Sequence, residues 1–162
     1  MKKIKIFTIL ILFLFSCAPL SVSQKILPHP SSHPYECAIL DLIVKEYVCD
    51  TNVLVLFNGY ELLSTNINGI TNRYSENIYQ ISINYYTRDF SQRLWTLLHE
   101  AGHLIDMSNG DLKTNPYYWK GERISSDTPY HERPWEISAE NWARILFFSI
   151  VVDTIKEEEK SE

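Results

Sequence analysis

"LLHEAGHLID", Leu97–Asp106, decides the reading of this chain: two histidines stand four residues apart, with a glutamate directly after the first. On a helix, residues i and i+4 lie one turn apart on one face, so His99 and His103 project side by side. At ~100° per residue, Leu94, Leu97, Leu98, Ala101, Leu104 and Ile105 fall in one arc. His99, His103 and Asp106 fall opposite that arc, with Glu100 beside them. Asp89 and Gln92 form a capping box at the start and Ser108-Asn109-Gly110 supplies a stop, which predicts a helix over 90–108. One face of this helix is core and the other presents imidazoles.

Two imidazoles one turn apart can reach a single tetrahedral zinc ion with bonds of about 2.0–2.1 Å. Glu100 then lies beside the metal without ligating it. From there it can take a proton from a metal-activated water and pass it to a leaving amine, the general-base role that the HExxH pattern supports. A catalytic zinc needs a third protein ligand. The HExxHxxGxxH arrangement is excluded, because Asp106 and Asn109 occupy its Gly and His positions. His131 lies in a predicted loop. Glu136 is better placed, near the start of a second predicted helix that opens at Pro134 and reads "PWEISAENWARILFFSIVVDTI". Its first half sets Glu136, Ala139, Glu140, Ala143 and Phe147 on one face, so small residues flank two carboxylates where another helix can approach closely. Glu136 is the favoured third ligand, and Glu140, one turn on, is placed to orient an imidazole from behind. The two roles can be exchanged, and His131 stays as a further alternative. The later half of this helix is apolar on every side, which predicts deep burial.

"HEAGH" followed by "EISAENWARIL" resembles the small gluzincin-type zinc metallopeptidases, particularly those of the ImmA/IrrE type, whose helix after HExxH bears a Glu-x-x-Ala-x-x-aromatic-Ala pattern. Glu136, Ala139, Trp142 and Ala143 fill those places. The resemblance covers roughly residues 79–148. It implies that His99, His103 and Glu136 bind Zn2+ and that Glu100 is the catalytic base. It also implies an α+β, minimal zincin-like domain, with a small antiparallel-rich sheet packed on the HExxH helix and the Glu-bearing helix. That type is usually cytosolic, whereas this chain begins with an export signal.

The signal is "MKKIKIFTILILFLFSC": three lysines, an apolar run from Ile6 to Phe15, a small residue and a cysteine. The run is too short for the ~20 apolar residues that span a bilayer. "LFSC", Leu14–Cys17, resembles the lipobox of bacterial lipoproteins, with Phe15 departing from the usual small residue. This gives a signal peptide over 1–16, and a lipidated Cys17 followed by a Pro/Ser-rich tether over 17–34. A metallopeptidase domain over 35–156 and an acidic tail over 157–162 follow. The expected localisation is the bacterial cell envelope, held to the membrane by the lipid anchor; the alternative is a secreted or periplasmic soluble protein.

The chain carries 15 basic and 20 acidic residues, a net charge of −5. Loss of residues 1–16 removes three lysines and no acid, taking it to −8. A nucleic-acid partner is disfavoured, because phosphate binding wants a basic face. Five scattered glycines form no phosphate loop, which excludes a nucleotide site of that kind. The expected partner is a peptide or protein substrate. The rival reading is a zinc-binding lipoprotein without catalysis, acting as a binding or structural module.

Elsewhere, the spacing of Ile39, Leu42, Ile43 and Tyr47 predicts a helix over about 35–48. Such a helix would hold Cys37 and Cys49 ~18 Å apart, beyond the ~7 Å that a disulfide tolerates. Asn68-Gly69 between Ile67 and Ile70 predicts a hairpin turn. "IYQISINYY" alternates, with Tyr79, Ile81, Ile83 and Tyr85 on one face, and predicts a half-exposed strand that could pair along its edge with an extended peptide. Tyr117, Tyr118, Tyr130 and His131, between the two helices, are candidates for stabilising an oxyanion.

Overall fold

The structure is a computed structural model that describes residues 26–28, 34–48, 52–58, 67–84 and 89–159, with side chains up to 152. The signal, Cys17, His29, His33, Cys49 and Tyr85 lie outside these residues. Along the chain come β1 (Ile26–Pro28), α1 (Pro34–Tyr47), β2 (Leu54–Asn58), β3 (Gly69–Ser75), β4 (Ile78–Ile83) and α2 (Phe90–Ser108). Three two-residue strands follow, β5 (Leu112–Lys113), β6 (Tyr118–Trp119) and β7 (Glu122–Arg123), then a 3-10 turn at Tyr130–Glu132 and α3 (Pro134–Glu159). The architecture is α+β, as expected.

The main sheet has the order β1-β2-β4-β3. It is mixed and not antiparallel-rich: β1 and β4 both run parallel to β2, and only the β3–β4 hairpin is antiparallel. The cause is the β1-α1-β2 crossover, since a helix between two neighbouring strands returns the chain in the same direction. The crossover also corrects the reading of residues 17–34 as tether throughout. Ile26 is 2% exposed and packs in the core, and Pro28 closes an edge strand, where its missing N–H costs no ladder bond. β5, β6 and β7 form a separate antiparallel meander.

Strand β4 is interior and not half-exposed. Tyr79, Ile81 and Ile83 face the core as their alternation predicts, but Ser82 and Asn84 on the other face are 0% and 3% exposed. The edge on this side is β3, so β3 and not β4 presents an open edge among the described residues. Asn68-Gly69 does not make the hairpin turn. Gly69 opens β3, opposite Ile83, and the turn falls at Glu76-Asn77. The reason for the glycine is proximity: a Cβ there would lie 2.7 Å from Glu100 Cγ and Oε1 and from Thr96 Cγ2.

Helix α2 has the bounds and caps its sequence predicts. Asp89 accepts from the Gln92 amide at 2.9 Å, and Gly110, with φ +80°, follows the C-cap Asn109. Leu97, Leu98, Ala101, Leu104 and Ile105 are fully buried against the sheet and α1. Each such Leu or Ile contributes roughly 1.5–3 kcal/mol. Helix α3 crosses the opposite face of α2. A Cβ on Gly102 would lie 2.9 Å from Ala139 Cα, so Gly102, Ala139 and Ala143 let the two helices close on each other. The later half of α3 is not deeply buried: Leu146 packs inward, while Ile145, Phe148 and Val152 are 50%, 67% and 44% exposed. Among the described residues no helix is long and apolar enough to cross a membrane.

Cys37 is a buried free thiol in α1, its pKa pushed up to about 11 by burial and then by Glu36. Glu36 is fully buried and lies 3.4 Å from Arg93 Nε, and burial lifts its carboxyl to about 7 despite that partner. A carboxyl whose folded pKa exceeds its unfolded value binds its proton more tightly when folded, so it stabilises the fold at low pH. That contribution is present below about pH 4.5 and lost as pH rises to 7. Thermal melts of Glu36→Gln and wild type should therefore diverge in favour of the variant across this window, by up to about 3 kcal/mol. A difference independent of pH would refute the assignment.

Candidate metal centre

The polar arc of α2 is not a solvent-facing surface. His103, Glu100 and Asp106 are buried beneath α3 and β3, and His99 is half-buried at the rim. Glu136, in the first turn of α3, reaches across to both histidines. Its Oε2 lies 3.2 Å from His99 Nε2 and 3.4 Å from His103 Nε2. The imidazoles meet edge to face, with centroids 4.8 Å apart. A tetrahedral ion with bonds near 2.0–2.1 Å would separate its ligand atoms by about 3.3 Å. The two Glu136–histidine separations are near that value, and the three donor atoms all lie within 4.8 Å of one another, a group that could hold a metal ion.

Glu140 sits behind this group, its Oε2 3.8 Å from His99 Nδ1, with Arg144 on its other oxygen. Of the two carboxylates, Glu136 touches both histidines and Glu140 the outer nitrogen of one. His131 is not with them: it is exposed and paired with Glu132.

Charge in the site is balanced by proximity. Burial disfavours an ionised Glu136, but hydrogen bonding to His103 and His99 outweighs it and holds the carboxyl well below the usual range. Burial likewise works against a charged His99, and the Glu136 hydrogen bond and the nearby carboxylates override it, raising its pKa. Glu100 moves the other way. Burial raises its pKa, with His103, Thr71 and His99 opposing.

Several residues that build the site were not foreseen. Thr71, on β3, places Oγ1 2.8 Å from Glu100 Oε2 and 2.9 Å from the Glu100 carbonyl oxygen, fixing one carboxylate oxygen and leaving Oε1 beside Gly69. Asp106 accepts from Trp142 Nε1 at 3.0 Å and Ser138 Oγ at 3.2 Å, tying α2 to α3 one turn beyond His103. The signal for Asp106 was present, since it shares the histidine arc and carries a carboxylate that a packed face must satisfy. Thr71 carried none, because its partner is reached only through the register of β3.

Two cavities, of about 370 and 820 Å3, meet at Gly69, Glu100, Tyr130 and Glu136. Of the oxyanion candidates, Tyr130 stands at this junction, its pKa raised by partial burial and by the nearby Glu136 carboxylate. Tyr117 lines the smaller cavity, stacked on Trp135 at 5.0 Å, and Tyr118 lines neither. Comparison of the chain with protein-family models, with curated proteins and with solved structures gave no match.

Proposed function

We propose that this chain is a zincin-like zinc peptidase that hydrolyses peptide bonds at the cell envelope. The observation that carries the reading is the convergence of His99, His103 and Glu136 around one point, with a buried, non-ligating Glu100 beside it. When bound there, zinc would lower the pKa of a water towards about 7 and polarise the scissile carbonyl. Glu100, its Oε2 held by Thr71, offers Oε1 at the Gly69 edge of β3 to take the proton of the attacking water and deliver it to the departing amine. Tyr130, which lines both cavities together with Glu136, would donate its hydroxyl to the oxygen that gains charge. The open edge of β3 supports pairing with an extended substrate backbone. The envelope location rests on the signal and the Cys17 lipobox in the sequence.

The test is metal content and hydrolysis together, on the chain from residue 17 onward. Wild type should bind one zinc per chain and cleave a broad peptide library. Glu136→Ala and His103→Ala should lose the metal, and Glu140→Gln should weaken its affinity ~10–100-fold. Zinc-free wild type would sink the proposal, and bound zinc without any cleavage would leave a metal-binding module.

A further inference from the structure

The smaller cavity is charged differently from its neighbour. In the larger one, Arg144 is paired with Glu140 and His131 with Glu132. The smaller one is lined by Arg133 and Arg73, and its only carboxylates are Glu100 and Glu136, both committed to the centre. Among the described residues neither arginine has a carboxylate within ion-pair distance; Lys113 and Arg123 share that state but line neither cavity, while Arg93, Arg144, Lys45 and Lys120 each face a carboxylate.

Both guanidiniums are also held in place. Arg133 donates Nε to the Thr128 carbonyl at 3.0 Å, with its Cζ 5.9 Å from the Tyr130 ring centre and 6.0 Å from that of Trp135. Both of its terminal nitrogens are left for another acceptor. Arg73 donates Nε to Ser75 O at 3.1 Å and one terminal nitrogen to Glu76 O at 2.7 Å, over the Tyr79 ring, and keeps the other terminal nitrogen. A planar fork anchored by a carbonyl and aromatic faces loses little freedom on meeting a carboxylate, and such pairs are strong and directional. A cavity of about 370 Å3 holds one long side chain with room to spare.

We infer that, on the peptidase reading above, this cavity is a specificity subsite for a substrate carboxylate near the scissile bond, with Arg133 as its principal contact and Arg73 as a second. The carboxylate comes from an acidic side chain or from a free C-terminus.

The experiment uses the zinc-loaded full-length chain and a matched peptide set: a cleaved sequence with Glu in the subsite position and an amidated end, its Gln twin, its Lys twin, and the Gln twin with a free C-terminus. kcat/KM should favour a carboxylate-bearing member over the amidated Gln twin by roughly ten- to a hundredfold. Preference for the first member assigns a side-chain carboxylate, and preference for the last assigns the C-terminus. Arg133→Met should collapse that ratio towards one, Arg133→Lys should keep part of it, and Arg133→Glu should turn preference to the Lys twin. Arg73→Met, which leaves the Arg133 contacts to Thr128 and Trp135 in place, should reduce the ratio by a smaller factor and guards against misfolding of the Arg133 variants. Equal cleavage of all twins overturns the subsite and leaves the peptidase standing. If no peptide is cleaved, calorimetric binding of the same set decides: carboxylate-dependent binding lost in Arg133→Met supports the subsite without the peptidase, and indifferent or absent binding overturns it.

Discussion

Glu100→Gln is expected to bind zinc as wild type does and to hydrolyse peptides about 10²–10⁴-fold more slowly, the range over which a general base contributes. Glutamine keeps the shape of the side chain and can still accept from Thr71, which lies 2.8 Å from Glu100 Oε2. It cannot take up a proton at the oxygen beside Gly69. On the proposed reading the metal donors are His99, His103 and Glu136, so stoichiometry should not change. Turnover per bound zinc is the measurement. Undiminished turnover would remove Glu100 from the chemistry, and loss of metal would make it a ligand.

Gly102→Ala should have the second large effect, on both stability and metal. The added Cβ would meet Ala139 Cα and Trp142 Cβ at 2.9 Å and the Ala139 carbonyl at 3.1 Å. Two of these atoms are backbone and cannot turn aside, so α3 must move. Overpacking of this kind costs about 1–3 kcal/mol, with a fall in Tm of roughly 3–4 °C per kcal/mol for a domain of this size. The same displacement carries Glu136, one turn before Ala139, away from the histidines of α2. Zinc affinity should therefore fall along with Tm. A variant with a lowered Tm and unaltered affinity would mean that helix spacing does not set the donor geometry.

The part of the molecule legible in the sequence is the part specified by short-range rules. Helix α2 could be drawn from Asp89 to Gly110 because its stripe, its cap and its stop are all local. The start of α3 was equally readable from Pro134, and Ala139 with Ala143 marked the face that meets α2. Long-range pairing was not legible. Asn68-Gly69 looks like a turn to any local rule, and only the approach of Glu100 explains the glycine. Ser82 and Asn84 alternate with apolar residues as solvent-facing positions would, yet both are buried. The later half of α3 is apolar all round, and such a pattern does not say which side the fold covers; Phe148 and Val152 remain outside. Strands of two residues, like β5, β6 and β7, are too short to show any period.

The Asp106 clamp has a consequence for metal exchange. Its hydrogen bonds to Ser138 and Trp142 join the two helices through groups that are not donors themselves. Glu136 is thus set against His99 and His103 by contacts that do not depend on an ion. On the proposed reading an arriving ion would meet donors already gathered, and its entry would exchange waters of its hydration shell for three side chains while displacing the hydrogen bonding between Glu136 and the histidines. Its rate of entry would then follow how fast the ion sheds water and how fast the histidines give up the protons they share with Glu136, with little rearrangement of the two helices.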